Sequence, residues 1–415
     1  MIISTDIRQN LRLLLRMDFV SLALVVILLG VGMLFIHGAG RDYGAPASYR
    51  WLTQLAWIIV GFALYLGCAI CDYRELGRYS WILYVLGLLL LAMVFVKGAY
   101  DSSARSMLRL PGANVQVSEP MKAAALLFCA YLLSHPLLSF SRIPPILVCA
   151  LVAIPPVAMV LFQGDGGTAL VFMPFSFAIL FVNGLKKRWI LAIVLAVLVL
   201  VPLAYPHLKP YQKQRILVFV GTPCENAIYA VSRILPPKWG VKMRDGFASF
   251  RKAQQGDKKL DDWNARQALY SVGSGRLFGV GLHKGTQHTL NYLPRAVAPT
   301  DFIFCVAAEE SGFLGALAII GSICFLVVLC CRTAIVSQDA FGRGIAVGAA
   351  VLYVTHTFIN IGMCVGWAPI IGIPLPFVSY GGSCLVTMMI VAGLVQSVFI
   401  HSRSVQPNER KLHIA

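Results

Sequence analysis

The sequence predicts an all-α integral membrane protein with about ten transmembrane helices, and three observations carry that expectation. Of its 415 residues, 58% are hydrophobic and only 13% charged, whereas a soluble domain holds roughly 25% charged residues. Mean hydropathy is +0.75. The apolar residues are gathered into runs of about 20, the length that crosses a hydrocarbon core.

Ten runs qualify, near residues 19–37, 51–71, 79–97, 119–134, 145–162, 167–184, 189–206, 302–330, 344–367 and 383–401. The first follows Arg8, Arg12 and Arg16. It is longer than the ~7–15-residue core of a cleavable signal and reads as a span. The fourth opens on Ser118-Glu119-Pro120-Met121-Lys122, where an early acid suits the helix dipole and a proline suits the first turn. The fifth and sixth nearly touch, joined by Gln163-Gly164-Asp165-Gly166-Gly167. The eighth is long enough to tilt or to begin outside the bilayer. Between the ninth and tenth, Pro374, Pro376, Gly381 and Gly382 break the helical pattern. Irregular backbone survives at membrane depth only when buried or lining a cavity. A cavity wall is expected there, with Ser379 and Tyr380 as candidate substrate contacts.

Lysine and arginine set the orientation. With both termini cytoplasmic, the inner segments hold 14 of them and the short outer loops five. Residues 1–415 then form a single polytopic domain, with 207–299 as one large extracytoplasmic loop. That loop carries 15 Lys/Arg against five Asp/Glu, about +10 of the chain's net +17. It reads either as a solvated loop touching anionic lipid heads or as an electrostatic funnel for a pyrophosphate. Residues 222–262, polar and mixed in charge, read as an insertion, a partner contact or a lid.

Two tempting motifs carry less than they promise. Cys68 and Cys71 form a C-x-x-C, but on a predicted membrane helix without a second pair. Packing therefore outranks zinc or redox chemistry. All the cysteines but Cys224 sit in apolar segments, so no disulfide framework is expected. The run Gly273-Ser274-Gly275-Arg276-Leu277-Phe278-Gly279-Val280-Gly281-Leu282-His283-Lys284-Gly285 fits neither the dinucleotide nor the Walker spacing. Backbone flexibility or a close helix approach explains it better than a nucleotide. His283 and His288 lack metal-site spacing.

The chemistry concentrates around Ala298-Pro299-Thr300-Asp301-Phe302-Ile303-Phe304-Cys305-Val306-Ala307-Ala308-Glu309-Glu310. There an acid sits where the basic loop enters an apolar helix, with two more acids two turns inward. An ionisable group at membrane depth costs roughly 2.5–3.5 kcal/mol on insertion scales and is a functional candidate by default. One acid among many cations points to an anionic, lipid-borne substrate.

Several segments in order resemble one family. They are Gln214-Arg215-Ile216, Gly273-Ser274-Gly275 with Gly285-Thr286-Gln287, Pro299-Thr300-Asp301-Phe302-Ile303-Phe304, Ala308-Glu309-Glu310, Phe358-Ile359-Asn360-Ile361-Gly362, and Gly372-Ile373-Pro374-Leu375-Pro376-Phe377-Val378-Ser379-Tyr380-Gly381-Gly382-Ser383. The set closely resembles the SEDS family, the shape, elongation, division and sporulation proteins, over nearly all of 18–401. Ile371 stands where division-type members typically carry a lysine, so the resemblance is to the elongation type. It implies a ten-helix fold and a peptidoglycan glycosyltransferase that polymerises lipid II in the bacterial cytoplasmic (inner) membrane. The implied partners are undecaprenyl-linked glycan, a class B penicillin-binding transpeptidase, other elongation-complex membrane proteins and membrane lipid, with no nucleic acid. Two departures stand out. Ser106 and Met107 replace the family's Arg-Trp in the first outer loop, and Gln163-Gly164-Asp165-Gly166-Gly167 has lost a proline while keeping its acid.

By position Asp301 is the family's essential aspartate. A positioned carboxylate can take the proton of an attacking sugar 4-hydroxyl, worth ~10²–10⁴ in rate. Pre-placed cations stabilise a leaving pyrophosphate. One base without a carboxylate nucleophile suggests a single inverting displacement. The competing reading is a helix cap from Thr300 or Asp301. Lys122 is either a cavity cation or a lysine snorkelling to the interface. Arg215 contacts pyrophosphate or anchors at the interface. Asp165 makes a tight turn or an ion pair with Lys122 or Arg215. Glu310 joins an ion pair or lines the substrate cavity, and Glu119 is grouped with the substrate-binding residues. His356 and Asn360 share a helical face and read mainly as glue between helices. A pyrophosphate leaving group suits Mg²⁺ or Mn²⁺, though no ligand cluster is visible in the sequence. A lipid-precursor flippase or transporter, and a non-catalytic scaffold, are the alternative functions.

Overall fold

The computed structural model describes residues 12–41, 49–97, 107–110, 113–134, 145–185, 189, 260–290, 292–293 and 297–402. Its elements in order are α1 (Phe19–Arg41), α2 (Arg50–Ile70), α3 (Tyr73–Arg78), α4 (Ser80–Lys97), β1 (Met107–Leu110), β2 (Ala113–Gln116), α5 (Ser118–Ser134), α6 (Pro145–Phe162) and α7 (Gly166–Val182). Then come α8 (Leu260–Ser274), α9 (Thr286–Thr289), α10 (Ile303–Val336), α11 (Ala340–Cys364) and α12 (Gly382–Ser402). Nine of the ten expected spans hold a helix. The remaining one, 189–206, lies outside the described residues except for Trp189, as do Arg215, Cys224 and Ser106. Of the proposed insertion only its last three residues, at the start of α8, are described.

Among the described residues six helices are long and apolar enough to cross a membrane, with shorter apolar helices beside them. The chain is a multi-pass membrane protein. α12 is its centre, with 83% of its apolar window buried, against 22% for α2. α2 lies along α12, α10 along α11, and α11 against α7 and α5. Small residues allow the central approach. A Cβ at Gly393 of α12 would lie 2.5 Å from the Tyr65 carbonyl oxygen of α2. Close backbone approach is the usual source of helix association in lipid, where no hydrophobic drive separates protein from solvent.

Two features depart from a plain bundle. The outer loop before α5 folds into a hairpin, with Met107 paired to Gln116 and Leu110 to Ala113. More important, the long eighth span is two helices. Gly312 breaks α10 with φ 68° and ψ −166°, a conformation that needs glycine. The segment after the break, 313–336, spans roughly 36 Å at 1.5 Å per residue, enough to cross the bilayer alone. The segment before it, 303–311, is a buried half-helix.

The glycine-rich run of the basic loop repairs that break. Phe313 N–H donates to the Arg276 carbonyl at 2.8 Å and Leu314 N–H to that of Leu277 at 3.2 Å. In return Val280 and Gly281 N–H donate to the carbonyls of Glu309 and Glu310, each at 3.0 Å. Buried main-chain groups must be paired, and here the loop supplies what the helix lost. A Cβ at Gly275 would overlap the Ala308 carbonyl oxygen, so the glycines serve a close approach to the helix.

A polar pin closes the opposite end of the bundle. Asp339 accepts from the Tyr73 hydroxyl at 2.6 Å and from Arg74 Nε at 3.0 Å. Burial, together with the Asp339 carboxylate beside it, pushes the Tyr73 phenol well above its usual range.

Candidate active site

Three irregular stretches meet where the broken helix begins: the turn 297–302, the segment 365–381 between α11 and α12, and the turn 163–165 before α7. The sequence expected the middle one to be a cavity wall. It runs without helix for 17 residues, from Val365 to Gly381, and side chains from two helices pin it. Gln54 of α2 donates to the Ser379 carbonyl at 3.2 Å and accepts from Gly381 N–H at 3.2 Å. Asn360 Nδ2 of α11 donates to the Ile373 carbonyl at 2.7 Å. His356 Nδ1, one turn earlier, meets the Pro374 carbonyl at 3.1 Å. Within the segment the Ser379 hydroxyl accepts from Leu375 N–H at 2.8 Å. The Tyr380 ring lies under the Arg50 guanidinium at 5.9 Å.

Asp301 stands at the mouth of this arrangement, partly exposed. The fold grips its main chain. Its N–H donates to the Val297 carbonyl at 3.0 Å, and its own carbonyl accepts from Asn360 Nδ2 at 2.9 Å. Two residues back, the Pro299 carbonyl accepts from Tyr380 N–H at 2.9 Å. The capping role considered for Asp301 and Thr300 is not what the structure shows. Phe302 occupies the cap position of α10 without a side-chain cap bond, and the Thr300 hydroxyl donates to the Val297 carbonyl at 3.2 Å. The Asp301 carboxylate instead borders Gly372, an exposed residue with φ 81°. A Cβ there would lie 3.3 Å from Asp301 Oδ2.

Lys122 is 1% exposed and does not snorkel. Its Nζ donates to Glu119 Oε1 at 2.7 Å, one turn back on α5, and lies 2.9 Å from His356 Nε2. Cys384, in the first turn of α12, is within electrostatic reach of Glu119, Lys122 and Asp301, so these charged groups share one region. A buried pair this tight is costly to break from one side, because the survivor is an uncompensated charge.

Asp165 is built differently. Oδ1 accepts from Thr168 N–H at 3.0 Å, capping α7, while Oδ2 accepts from the Thr168 hydroxyl at 2.8 Å and Gln116 Nε2 at 2.7 Å. The ion pair to Lys122 considered for Asp165 does not form, since Lys122 bonds to Glu119 and His356. The turn still touches the site wall: Gly167 packs so closely on Ile371 that a Cβ would overlap its side chain.

The two inner acids also divide. Glu309 is fully buried, and its carboxylate collects Thr286 N–H at 2.6 Å, Gln287 N–H at 3.1 Å, the Thr286 hydroxyl at 3.1 Å and the Ser271 hydroxyl at 3.2 Å. It ties the basic loop to the half-helix. Glu310 points the other way, toward Gly38 of α1 and the His283 ring. Among the described residues no group of three or more His, Cys, Asp or Glu is placed to hold a metal ion.

Sequence reasoning missed two amides that shape the site, Gln54 and Gln116. For Gln54 the available signal was a polar residue inside an apolar span. Gln116 lies in a loop and carried none.

Comparison with known proteins matches this architecture. The sequence profile of the cell cycle protein family FtsW/RodA/SpoVE matches residues 16–235 and 240–404. The chain is 29% identical over 429 residues to the peptidoglycan glycosyltransferase RodA of Treponema pallidum, covering 92% of this chain and 97% of that one. It is 31% identical over 407 residues to the probable peptidoglycan glycosyltransferase FtsW of Nitrosomonas europaea, covering 94% and 95%. A chain from a solved peptidoglycan synthase complex, which coordinates polymerisation and crosslinking, superposes with a TM-score of 0.71 at 25% identity, covering 94% and 99%. The sequence and the multi-pass helical fold thus meet in one family, and the chain belongs to the FtsW/RodA/SpoVE cell cycle proteins.

Proposed function

We propose that this protein is a peptidoglycan glycosyltransferase that polymerises lipid II into glycan strands at the outer face of the bacterial cytoplasmic membrane. Asp301 accepts the proton of the acceptor sugar's 4-hydroxyl as that oxygen attacks the anomeric carbon of the donor. The carbon–phosphate oxygen bond breaks with inversion, and undecaprenyl pyrophosphate leaves. Lys122, and Arg215 outside the described residues, place positive charge where the leaving group gains negative charge. Glu119 holds Lys122 in place. Asp165, Glu310, Ser379 and Tyr380 line or shape the cavity around the sugars.

One observation carries this reading. Asp301 is held by its main chain and does not cap its helix, and its carboxylate faces an exposed glycine in a wall of irregular backbone. That is the geometry of a base presented to a substrate. The sequence relatives named as peptidoglycan glycosyltransferases support the same activity. Ile371 favours elongation over division. A class B transpeptidase and other elongation-complex membrane proteins are the proposed partners, supported by the synthase complex that contains the structural relative. The single polytopic domain would present its 207–299 loop to those partners or to the pyrophosphate, with 222–262 as contact or lid. A divalent cation, Mg²⁺ or Mn²⁺, would add charge stabilisation to the pyrophosphate. Mg²⁺ commonly binds through one or two carboxylates plus substrate phosphates, which the acids here allow without a protein cage.

The flippase alternative shares the buried charges and broken helices. Purified protein and its cognate transpeptidase, given lipid II in detergent, separate the two. Glycan strands made without a bilayer to cross support the enzyme. No strands, with lipid II moved across vesicles by the same preparation, would replace it with the transporter.

A further inference from the structure

We infer that His356 is a positioning residue for Lys122, and that His356 and Asn360 together lock Lys122 and Asp301 to one short stretch of backbone. The inference rests on the glycosyltransferase reading, in which those two charged groups meet the substrate.

The hydrogen bonds assign the ring. A carbonyl oxygen only accepts, so His356 Nδ1, 3.1 Å from the Pro374 carbonyl, carries the proton. Nε2 is then an acceptor with one lone pair. An ammonium group has only donors, and Lys122 Nζ sits 2.9 Å from that nitrogen. The two contacts are mutually consistent for a neutral ring in the Nδ1–H tautomer. An imidazolium would set a second N–H and a like charge against the ammonium, in a pocket where His356 is fully buried. The charged and titratable groups around this ring and its lysine are Glu119 of α5, bonded to Lys122, and the Cys384 thiol of α12, within electrostatic reach of both Glu119 and Lys122.

The partners make this more than contact between helices. His356 grips the carbonyl of Pro374, and Asn360 grips that of Ile373 at 2.7 Å. These are adjacent links of the same irregular segment. Each side chain also holds one of the two charged residues: His356 turns its other ring nitrogen to the Lys122 ammonium, and Asn360 Nδ2 donates its second proton to the Asp301 carbonyl at 2.9 Å. The spacing of proton acceptor and cation is thereby set by a single turn of α11 and two residues of backbone. Glu119 then fixes Lys122 from its own helix at 2.7 Å.

Two amides dissect the ring. In His356→Gln the side-chain carbonyl reaches the Nε2 position and still accepts from Lys122. In His356→Asn the amide reaches only the Nδ1 position, keeping Pro374 and losing Lys122. With the purified complex and lipid II, His356→Gln is expected within about 10-fold of wild-type turnover. His356→Asn is expected to fall about 100-fold, the scale of a 1 Å misplacement, at a melting temperature equal to that of the glutamine variant. Equal rates for the two variants, or losses that track melting temperature, would overturn the inference. A second readout needs no activity. Nitrogen-15 NMR of histidine-labelled protein at neutral pH, with His356 assigned by its loss in His356→Gln, should show the neutral Nδ1–H tautomer. Lys122→Ala should shift that signal. An Nε2–H tautomer, or an imidazolium, would also overturn it. Should the wild type make no glycan at all, the glycosyltransferase reading fails while the tautomer still decides the geometry.

Discussion

Five of the described helices begin beside an aspartate, and one of the five is treated differently. Asp18 accepts from Val20 N–H at 3.2 Å at the start of α1, and Asp72 from Arg74 N–H at 2.9 Å at the start of α3. At the start of α7, Asp165 accepts from Thr168 N–H at 3.0 Å. At the start of α11, Asp339 accepts from Gly342 N–H at 2.7 Å and also takes Tyr73 and Arg74. All four carboxylates are engaged in closing a helix end. At the start of α10, Asp301 leaves the cap position to Phe302, whose side chain makes no cap bond. There the fold holds the residue through its peptide groups instead. A carboxylate that closes a helix end belongs to the architecture. Asp301 is also gripped through its peptide groups, so the place of the residue does not rest on its carboxylate alone.

Substitutions can break or sharpen that contrast. The largest effect is expected at Glu309, which belongs with the engaged acids although it lies within a helix. Glu309→Ala removes the acceptor of two part-buried N–H groups and of the Thr286 and Ser271 hydroxyls from a buried position, at about 3 kcal/mol. Thermal unfolding in detergent reads this, and an unchanged melting temperature would remove Glu309 from the structural class. Asp339→Ala loses a cap and two partners, about 2 kcal/mol, most of it from the cap, since half-exposed ion pairs add little. Gly372→Ala places a methyl beside the Asp301 carboxylate and forces a left-handed residue, about 1–2 kcal/mol. It should slow polymerisation more than the stability loss explains. Full activity would show that the space beside Asp301 is not used. Asp165→Asn is the smallest change, because asparagine caps about as well as aspartate, within roughly 0.5 kcal/mol. Lost polymerisation at an unchanged melting temperature would move Asp165 out of the structural class and next to Asp301.

The contrast also marks how much was legible in the sequence. The spans were readable because lipid demands apolar runs of fixed length, and nine of the ten ranges hold helices. The cavity wall was readable from Pro374, Pro376 and Gly381, since no membrane helix tolerates them without a reason. The break at Gly312 was not, because a single glycine in an apolar run looks like packing until its φ is known. The glycine-rich stretch 273–285 became interpretable only beside that break, where its N–H and carbonyl groups replace the missing helical bonds. The sequence pointed to Asp301, Lys122, Glu119 and Asp165 as polar residues to watch, but not to the partners the structure gives them. Pairing depends on how α5, α7 and α11 pack, and the bond from Lys122 to His356 joins residues 234 positions apart. Likewise nothing local distinguishes an aspartate that caps its helix from one that does not.

The central claim is that Asp301 acts chemically and is not needed to hold the fold. Lipid II polymerisation by the purified complex, wild type against Asp301→Asn, tests it directly. Asparagine keeps the size and every main-chain bond while removing the basic carboxylate. The expected result is a loss of at least about 100-fold in glycan synthesis, with melting temperature and transpeptidase binding unchanged. Equal synthesis by the variant would contradict the claim and move the base elsewhere in the site.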